Sequence, residues 1–230
     1  MIQLYELVAK NEAIRFSPYA WRVRLSLLHK GLQYEGIPWH LTDKAAIADA
    51  NSKTVPVIKT KDGWARDSFE ICLQLDKNFS DKQLINDVTM ARFFNGWLTR
   101  TVVHGLFPMI AADIWEILSD DDQLYFRKTR EKFLGSSLEQ ARKGRETITP
   151  DFLASLSPVR EMLTMSGADF LSGDNAGWSD YALASNFIWA RAVSDYDVLD
   201  DDMVLTEWFE RMLDLFDGHA RKAPTVHDWN

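Results

Sequence analysis

Residues 16–27 read FSPYAWRVRLSL, and Ser17-Pro18-Tyr19-Ala20 falls where a helical pattern begins after a strand-like run. Dithiol redox proteins place Cys-x-x-Cys at such a position, because a helix N-terminus lowers the pKa of the first thiol. Here Ser17 and Ala20 stand at the two sulfur positions. A hydroxyl cannot exchange disulfides. It can donate a hydrogen bond to an anion brought by another molecule, and the helix dipole adds to that attraction. The purely structural alternative is an N-cap worth about 1 kcal/mol.

Two further features suit an anionic peptide. Val55-Pro56 follows Lys53-Thr54 at the start of the strand-like VPVI. Proline fits there because the first position of a strand needs no ladder donor. A cis bond before it, which costs only about 0.5–1 kcal/mol, would turn the Val55 N–H and C=O outward to pair with an extended peptide. Asp67-Ser68 opens the next helical pattern, so a hydroxyl and free backbone N–H groups face an incoming carboxylate. Structurally, the same two residues cap the helix and complement its dipole.

The elements that hold these residues alternate in type. IQLYELV is a short strand, and the run from Pro18 through Trp21, Leu25 and Leu28 is a helix that Gly31 stops. LQYEGIPWHL is a second strand and TDKAAIADAN a short helix with Thr42 or Asp43 as cap. TVPVIKT forms a hairpin around Lys61-Asp62-Gly63, and FEICLQLDKNF is helical. The order β-α-β-α-β-β-α predicts a mixed sheet over residues 1–79. Residues 80–88 are polar and read as a linker. Beyond them, residues 89–230 carry almost only helical periodicity. The pattern predicts a long helix over 91–118 kinked near Pro108, then helices over 123–143, 150–166, 179–193 and 201–216.

Composition narrows the partners. Of 230 residues, 46% are hydrophobic and 26% charged, with a net charge of −8. Such a balance is that of a globular chain and lacks the basic face that nucleic acid requires. Residues 1–80 hold 11 Lys+Arg against 9 Asp+Glu, and the remainder 15 against 25, so an anionic ligand suits the first part better. No run approaches a membrane span, and the N-terminus lacks the pattern of a signal peptide, which gives a cytoplasmic expectation. The single cysteine, Cys72, excludes an intrachain disulfide and Cys-x-x-Cys chemistry, and its apolar context reads as packing. The histidines His29, His40, His104, His219 and His227 show no metal-ligand spacing, so no metal is expected. No Gly-x-Ser-x-Gly elbow or phosphate loop is present.

In order and spacing, these features resemble the cytosolic glutathione S-transferase family over essentially the whole chain. The resemblance is carried by Ser-Pro-Tyr at the helix start, VPVI, the Arg66-Asp67-Ser68 turn and FLSGDNAGWSDYALA, which is similar to the family's FLxGDxxTxAD segment. Gly177 replaces the usual Ser or Thr three residues before Asp180, leaving the helix start without its side-chain cap. SPYAWRVRLSLLHKG is closest to serine-type members, and is similar to the branch related to bacterial and fungal glutathione-dependent β-etherases.

The resemblance implies a fold and a chemistry. The fold is an α/β thioredoxin-like N-terminal domain followed by an all-α C-terminal bundle. Ser17 would hydrogen-bond the glutathione sulfur as an oriented donor, with glutathione as co-substrate. Val55, before Pro56, would pair with its cysteinyl unit, and Asp67 and Ser68 would hold the γ-glutamyl end. Lys53, beside Thr54, and His40 would meet the glycine carboxylate. Tyr5 and Tyr19 are competing donors. Tyr5 is less apt because it lies inside the first strand, and Tyr19, which follows the proline, because it packs beside the site. A small hydrophobic electrophile would bind between the domains near Tyr19, Trp97, Arg100, Thr101, His104 and Met109, whose structural alternative is core packing. Conjugation and β-aryl ether cleavage both fit, and a homodimer is implied. The rival reading is a non-catalytic protein of the same fold that sequesters hydrophobic ligands.

Overall fold

The computed structural model describes residues 1–200 and 202–228. Strand β1 (Ile2–Leu7) runs parallel to β2 (Tyr34–Trp39) and antiparallel to β3 (Val57–Thr60), which pairs with β4 (Gly63–Arg66). The sheet order is therefore β2-β1-β3-β4. Helix α1 (Pro18–His29) joins the parallel pair, as such a connection requires, and α2 (Ser68–Asn78) follows the hairpin. Gly31, at φ 67°, ends the first helix where a left-handed residue is needed. The short helix expected after Thr42 is a 3₁₀ helix over Ala45–Ala50. The Asp43 carboxylate accepts the Ala46 N–H at its start (3.3 Å), as one of the two expected caps would, but six residues cannot sustain an α-helix of their own. Glu6 in β1 is buried against Arg24 of α1, with contacts of 2.9 and 2.5 Å. Gly36 of β2 makes room for it, since a Cβ there would lie 2.5 Å from the Glu6 carboxylate.

The second part is helical. It comprises α3 (Val88–Trp97), a π-helical stretch (Leu98–Val103), α4 (His104–Ile117), α5 (Asp120–Leu134) and α6 (Leu138–Ser155). Three more follow: α7 (Ser157–Ser166), α8 (Trp178–Val193) and α9 (Met203–Gly218), whose dihedrals leave the helical region at Leu215–Asp217. The expected kink at Pro108 is displaced upstream. Proline offers no N–H to the carbonyl of His104, and the wider π turns lie directly before that residue. The helices expected over 123–143 and 150–166 are corrected to α5, α6 and α7. Gly135, at φ 70°, ends α5, and a Ser137–Gln140 capping box starts α6, which runs through Pro150.

Helix α8 forms the buried axis of the bundle. Asp180 in its first turn accepts from Leu171 N (2.7 Å), Ser172 N (3.1 Å), Gly177 N (3.1 Å) and Trp208 Nε1 (3.0 Å). The missing hydroxyl at Gly177 is thus offset by the carboxylate three residues on. Ser172 fills the space, because a Cβ on Gly177 would meet its Oγ at 2.5 Å.

The two parts share buried polar contacts. Asp122 of α5, fully buried, accepts from Leu41 N (3.1 Å), Thr42 N (2.9 Å) and the Thr42 hydroxyl (2.8 Å). His29 of α1 contacts the Tyr181 hydroxyl of α8 at 2.7 Å. Lys30 and Asp76 pair at 2.6 Å, and Asp76 also takes the N–H groups of Leu84 and Ile85 in the connecting segment. Satisfied buried groups of this kind fix the junction in one arrangement. Among the described residues no helix is long and apolar enough to cross a membrane.

Candidate active site

Ser17 is the N-cap of α1, with extended dihedrals, and Pro18 occupies the first turn. Its Oγ accepts the Ala20 N–H at 3.2 Å. Accepting at the oxygen leaves the hydroxyl hydrogen available for an anion. The side chain is 4% exposed. Cys72, below the same helix, is fully buried, and its thiol lies 3.3 Å from the Ser26 hydroxyl. Burial pushes that thiol up to about 11, with Ser26 and Arg22 opposing, so it stays protonated and inert at neutral pH.

A cavity of about 420 Å³ opens between the sheet and α3. One wall is Thr54, Val55 and Pro56, with a cis bond between the last two. Among the described residues nothing bonds to the Val55 N–H or C=O. The second wall is the start of α2. Asp67 holds φ 68°, unusual for a residue other than glycine, and its Oδ1 takes the N–H groups of Phe69 (2.9 Å) and Glu70 (3.1 Å). That arrangement leaves the Ser68 N–H and hydroxyl free at a positive helix terminus. Arg66 closes the rim, donating to the Asn51 carbonyl. Tyr19 and Arg22 of α1 and Asn95 and Thr99 of the helical part complete the cavity. Here the geometry offers an extended backbone pair, a carboxylate-binding terminus and a buried cation.

A second cavity, about 810 Å³, lies against the other side of α3. Its lining is mostly apolar, with Leu84, Met90, Phe94, Trp97, Val159 and Trp178, and His29 at its edge. Phe94 and Trp97 stack with centroids 5.4 Å apart, and Phe94 also meets the Trp178 edge. The larger cavity is thus not the one lined by the first turns of α1 and α2.

The residues expected from the sequence divide accordingly. Thr54, Val55, Pro56, Asp67, Ser68 and Tyr19 are brought together at the smaller cavity. Ser17 is not among the residues that wall it, and Lys53 is exposed next to Thr54. His40 is elsewhere. Its ring nitrogens lie 3.2 Å from Asp122 Oδ2 and 3.2 Å from Glu12 Oε1, so the carboxylates at the domain junction engage it. Of the set expected for a second substrate, Trp97 lines the larger cavity, while Arg100, Thr101, His104 and Met109 line neither. His104 packs edge-on to Phe133, and Met109 is a core residue against Thr149 of α6. The π turns between Trp97 and His104 break the regular helical period on which a shared face was expected. Tyr5 packs on Trp64, across the sheet from this chemistry.

Asn95, Thr99 and Ser52 were not singled out by sequence, and Arg22 and Arg66 stood there only inside the SPYAWR and Arg66-Asp67-Ser68 stretches, with no role assigned.

A parallel-antiparallel sheet with α1 and α2, followed by a helical bundle, is the architecture of a thioredoxin-like domain with an all-α partner. Family models agree with it: "Glutathione S-transferase, N-terminal domain" matches residues 13–83 and "Glutathione S-transferase, C-terminal domain" matches residues 89–217. The chain belongs to the glutathione S-transferase family. It is 33% identical over 110 residues to glutathione S-transferase Z2 of Arabidopsis thaliana, a match spanning 45% of this chain and 49% of that relative. Among solved structures it is similar to glutathione transferase GSTFuA3 from Phanerochaete chrysosporium, with TM-score 0.76 and 27% identity over 96% of this chain and 93% of that one. The fold is also that of CsGST63524 of Ceriporiopsis subvermispora, solved with glutathione, with TM-score 0.76 and 23% identity over 96% and 94% of the two chains.

Proposed function

We propose that the protein is a serine-type glutathione transferase, in which the smaller cavity binds glutathione and Ser17 stabilises its thiolate. The observation that carries this reading is the convergence at one cavity of the unpaired Val55 backbone and the open N-terminus of α2. The cysteinyl backbone pairs with Val55, the γ-glutamyl carboxylate meets Ser68 with Asp67 nearby, and Lys53 faces the glycine carboxylate. The glutathione complex of CsGST63524 supports the choice of ligand.

The energetics suffice without a general base. A free thiol titrates near ~8.5, and bringing it to about 6.5 takes roughly 2.7 kcal/mol. A hydroxyl bond to a charged acceptor supplies about 1.5–3 kcal/mol. A helix N-terminus adds roughly 0.3–2 kcal/mol. The thiolate then attacks a small hydrophobic electrophile, by conjugation or by displacement at a β-aryl ether as in the β-etherase-related branch. The active unit on this reading is a cytoplasmic homodimer, which sedimentation would reveal as twice the chain mass.

Turnover of glutathione with a panel of aromatic electrophiles that includes β-aryl ethers tests the reading. Ser17→Ala should keep glutathione affinity within a few-fold and lower kcat/KM about 10–100-fold. Unchanged turnover in the variant would contradict the role of Ser17. A second reading, a holder of hydrophobic ligands, draws on the 810 Å³ apolar cavity. It wins if the wild type binds apolar dyes yet turns over none of the panel.

A further inference from the structure

The largely buried Arg24 is neutralised by Glu6 through two bonds. Arg22, more deeply buried, is not. It is 1% exposed, and its single hydrogen bond runs from Nη1 to Asn95 Oδ1 at 2.6 Å. Its Nε and Nη2 have no partner, and no carboxylate reaches it among the described residues. The groups that face it are Tyr19 on its own helix, Cys72 and Asp67 from α2 and its cap, Asn95 from α3 and the Trp178 ring from α8. The Tyr19 ring centroid is 5.3 Å from the guanidinium carbon. The side chain therefore runs back toward the N-terminus of α1, as long helical side chains do. Arg22 and Asn95 both wall the 420 Å³ cavity.

Burying a cation without a counter-ion is strongly unfavourable. The nearest carboxylate, Asp67, is already committed to the N–H groups of Phe69 and Glu70. We infer that Arg22, held by Asn95 across the domain junction, is the electrostatic positioning residue of the cavity, and that the anionic group of the bound ligand serves as its counter-ion. The inference rests on the glutathione reading. Nε and Nη2 are closed to water, so the guanidinium is a fixed charge set into the cavity wall, where weak screening extends its reach. The anion is a thiolate or a carboxylate. Both are single negative charges that this cation would favour, and ligand chemistry separates them.

The test is Asn95→Asp, which gives Arg22 a permanent counter-ion within the protein. Wild type and variant are compared for Tm, for affinity to glutathione and to S-methylglutathione, and for the pKa of the bound thiol. The variant should hold or raise Tm while losing anion stabilisation. Where the thiolate is the anion, the bound thiol pKa rises by about one, a tenfold effect, and S-methylglutathione affinity is unchanged. Where the γ-glutamyl carboxylate is the anion, both ligands bind about tenfold more weakly and the thiol pKa stays put. A Tm change with neither ligand nor thiol affected overturns the inference and makes Arg22 a packing residue. Should N95D fail to fold, Arg22→Met and Arg22→Lys carry the same test: lysine should recover what methionine loses, and equal behaviour of the two overturns the inference. A wild type that binds neither ligand overturns the glutathione reading itself, and this inference with it.

Discussion

Helix α3 separates two cavities that differ in volume and in the balance of their linings. The smaller presents a free backbone pair at Val55, the start of α2 at Ser68 and an unneutralised guanidinium at Arg22. The larger is about twice its volume and is walled by stacked aromatic and aliphatic side chains. Burying apolar surface gives affinity without direction. Fixed dipoles and charges give direction, and they act on charge that develops on a reacting atom. Cavity size and fixed polar groups are therefore divided between the two faces of one helix. Asn95 and Thr99 look toward the polar side, while Met90, Phe94 and Trp97 look toward the apolar side.

That division can be broken from either side. The largest effect after Ser17 is expected at Ser68. Ser68→Ala removes a free hydroxyl from the α2 terminus and should weaken glutathione about tenfold, roughly 1.5 kcal/mol, with apolar dye binding unaltered in the same calorimetric titration. Trp97→Ala acts on the opposite face. It should weaken dye binding several-fold and leave glutathione affinity unchanged; equal losses of both ligands would show that the cavities act as one.

The smallest effect concerns pH. His29, at the edge of the larger cavity, has its pKa lowered, chiefly by burial, with Lys30 and Lys82 adding to it and the Lys82 carbonyl opposing. His219 is lowered by burial and by Arg24. The unfolded chain then binds these protons more readily than the fold does. Stability is full above the ordinary histidine value of about 6.5 and falls as pH drops below it. Urea midpoints should decline between neutral and mildly acidic pH, and His29→Gln should flatten part of that decline.

The sequence carried the directional side of the site better than its depth. Ser17, Pro56, Asp67 and Ser68 lie at helix or strand starts, where local chemistry marks a residue by type, and Gly31 marked the end of α1 for the same reason. Arg22 and Asn95 are 73 residues apart and meet only because α1 and α3 pack across the junction, so neither carried a local mark of its partner. His40 followed a strand into a cluster with Glu12 and Asp122 that tertiary packing alone creates. Trp97, His104 and Met109 fall in one helical run of the sequence, yet π turns separate Trp97 from the other two, and within α4 His104 and Met109 meet different neighbours. The α5–α6 break was readable, since Ser137-x-x-Gln140 is a capping box, but the continuous charged pattern through Gly135 masked it. Pro150 drew a boundary where α6 continues.

Ultraviolet titration of the glutathione thiolate on the protein tests the central claim most directly. In the wild type the bound thiol should ionise about two pH units below the free value of ~8.5, and in Ser17→Ala it should return at least one unit of the way. Superimposable titration curves for the two proteins would contradict the account.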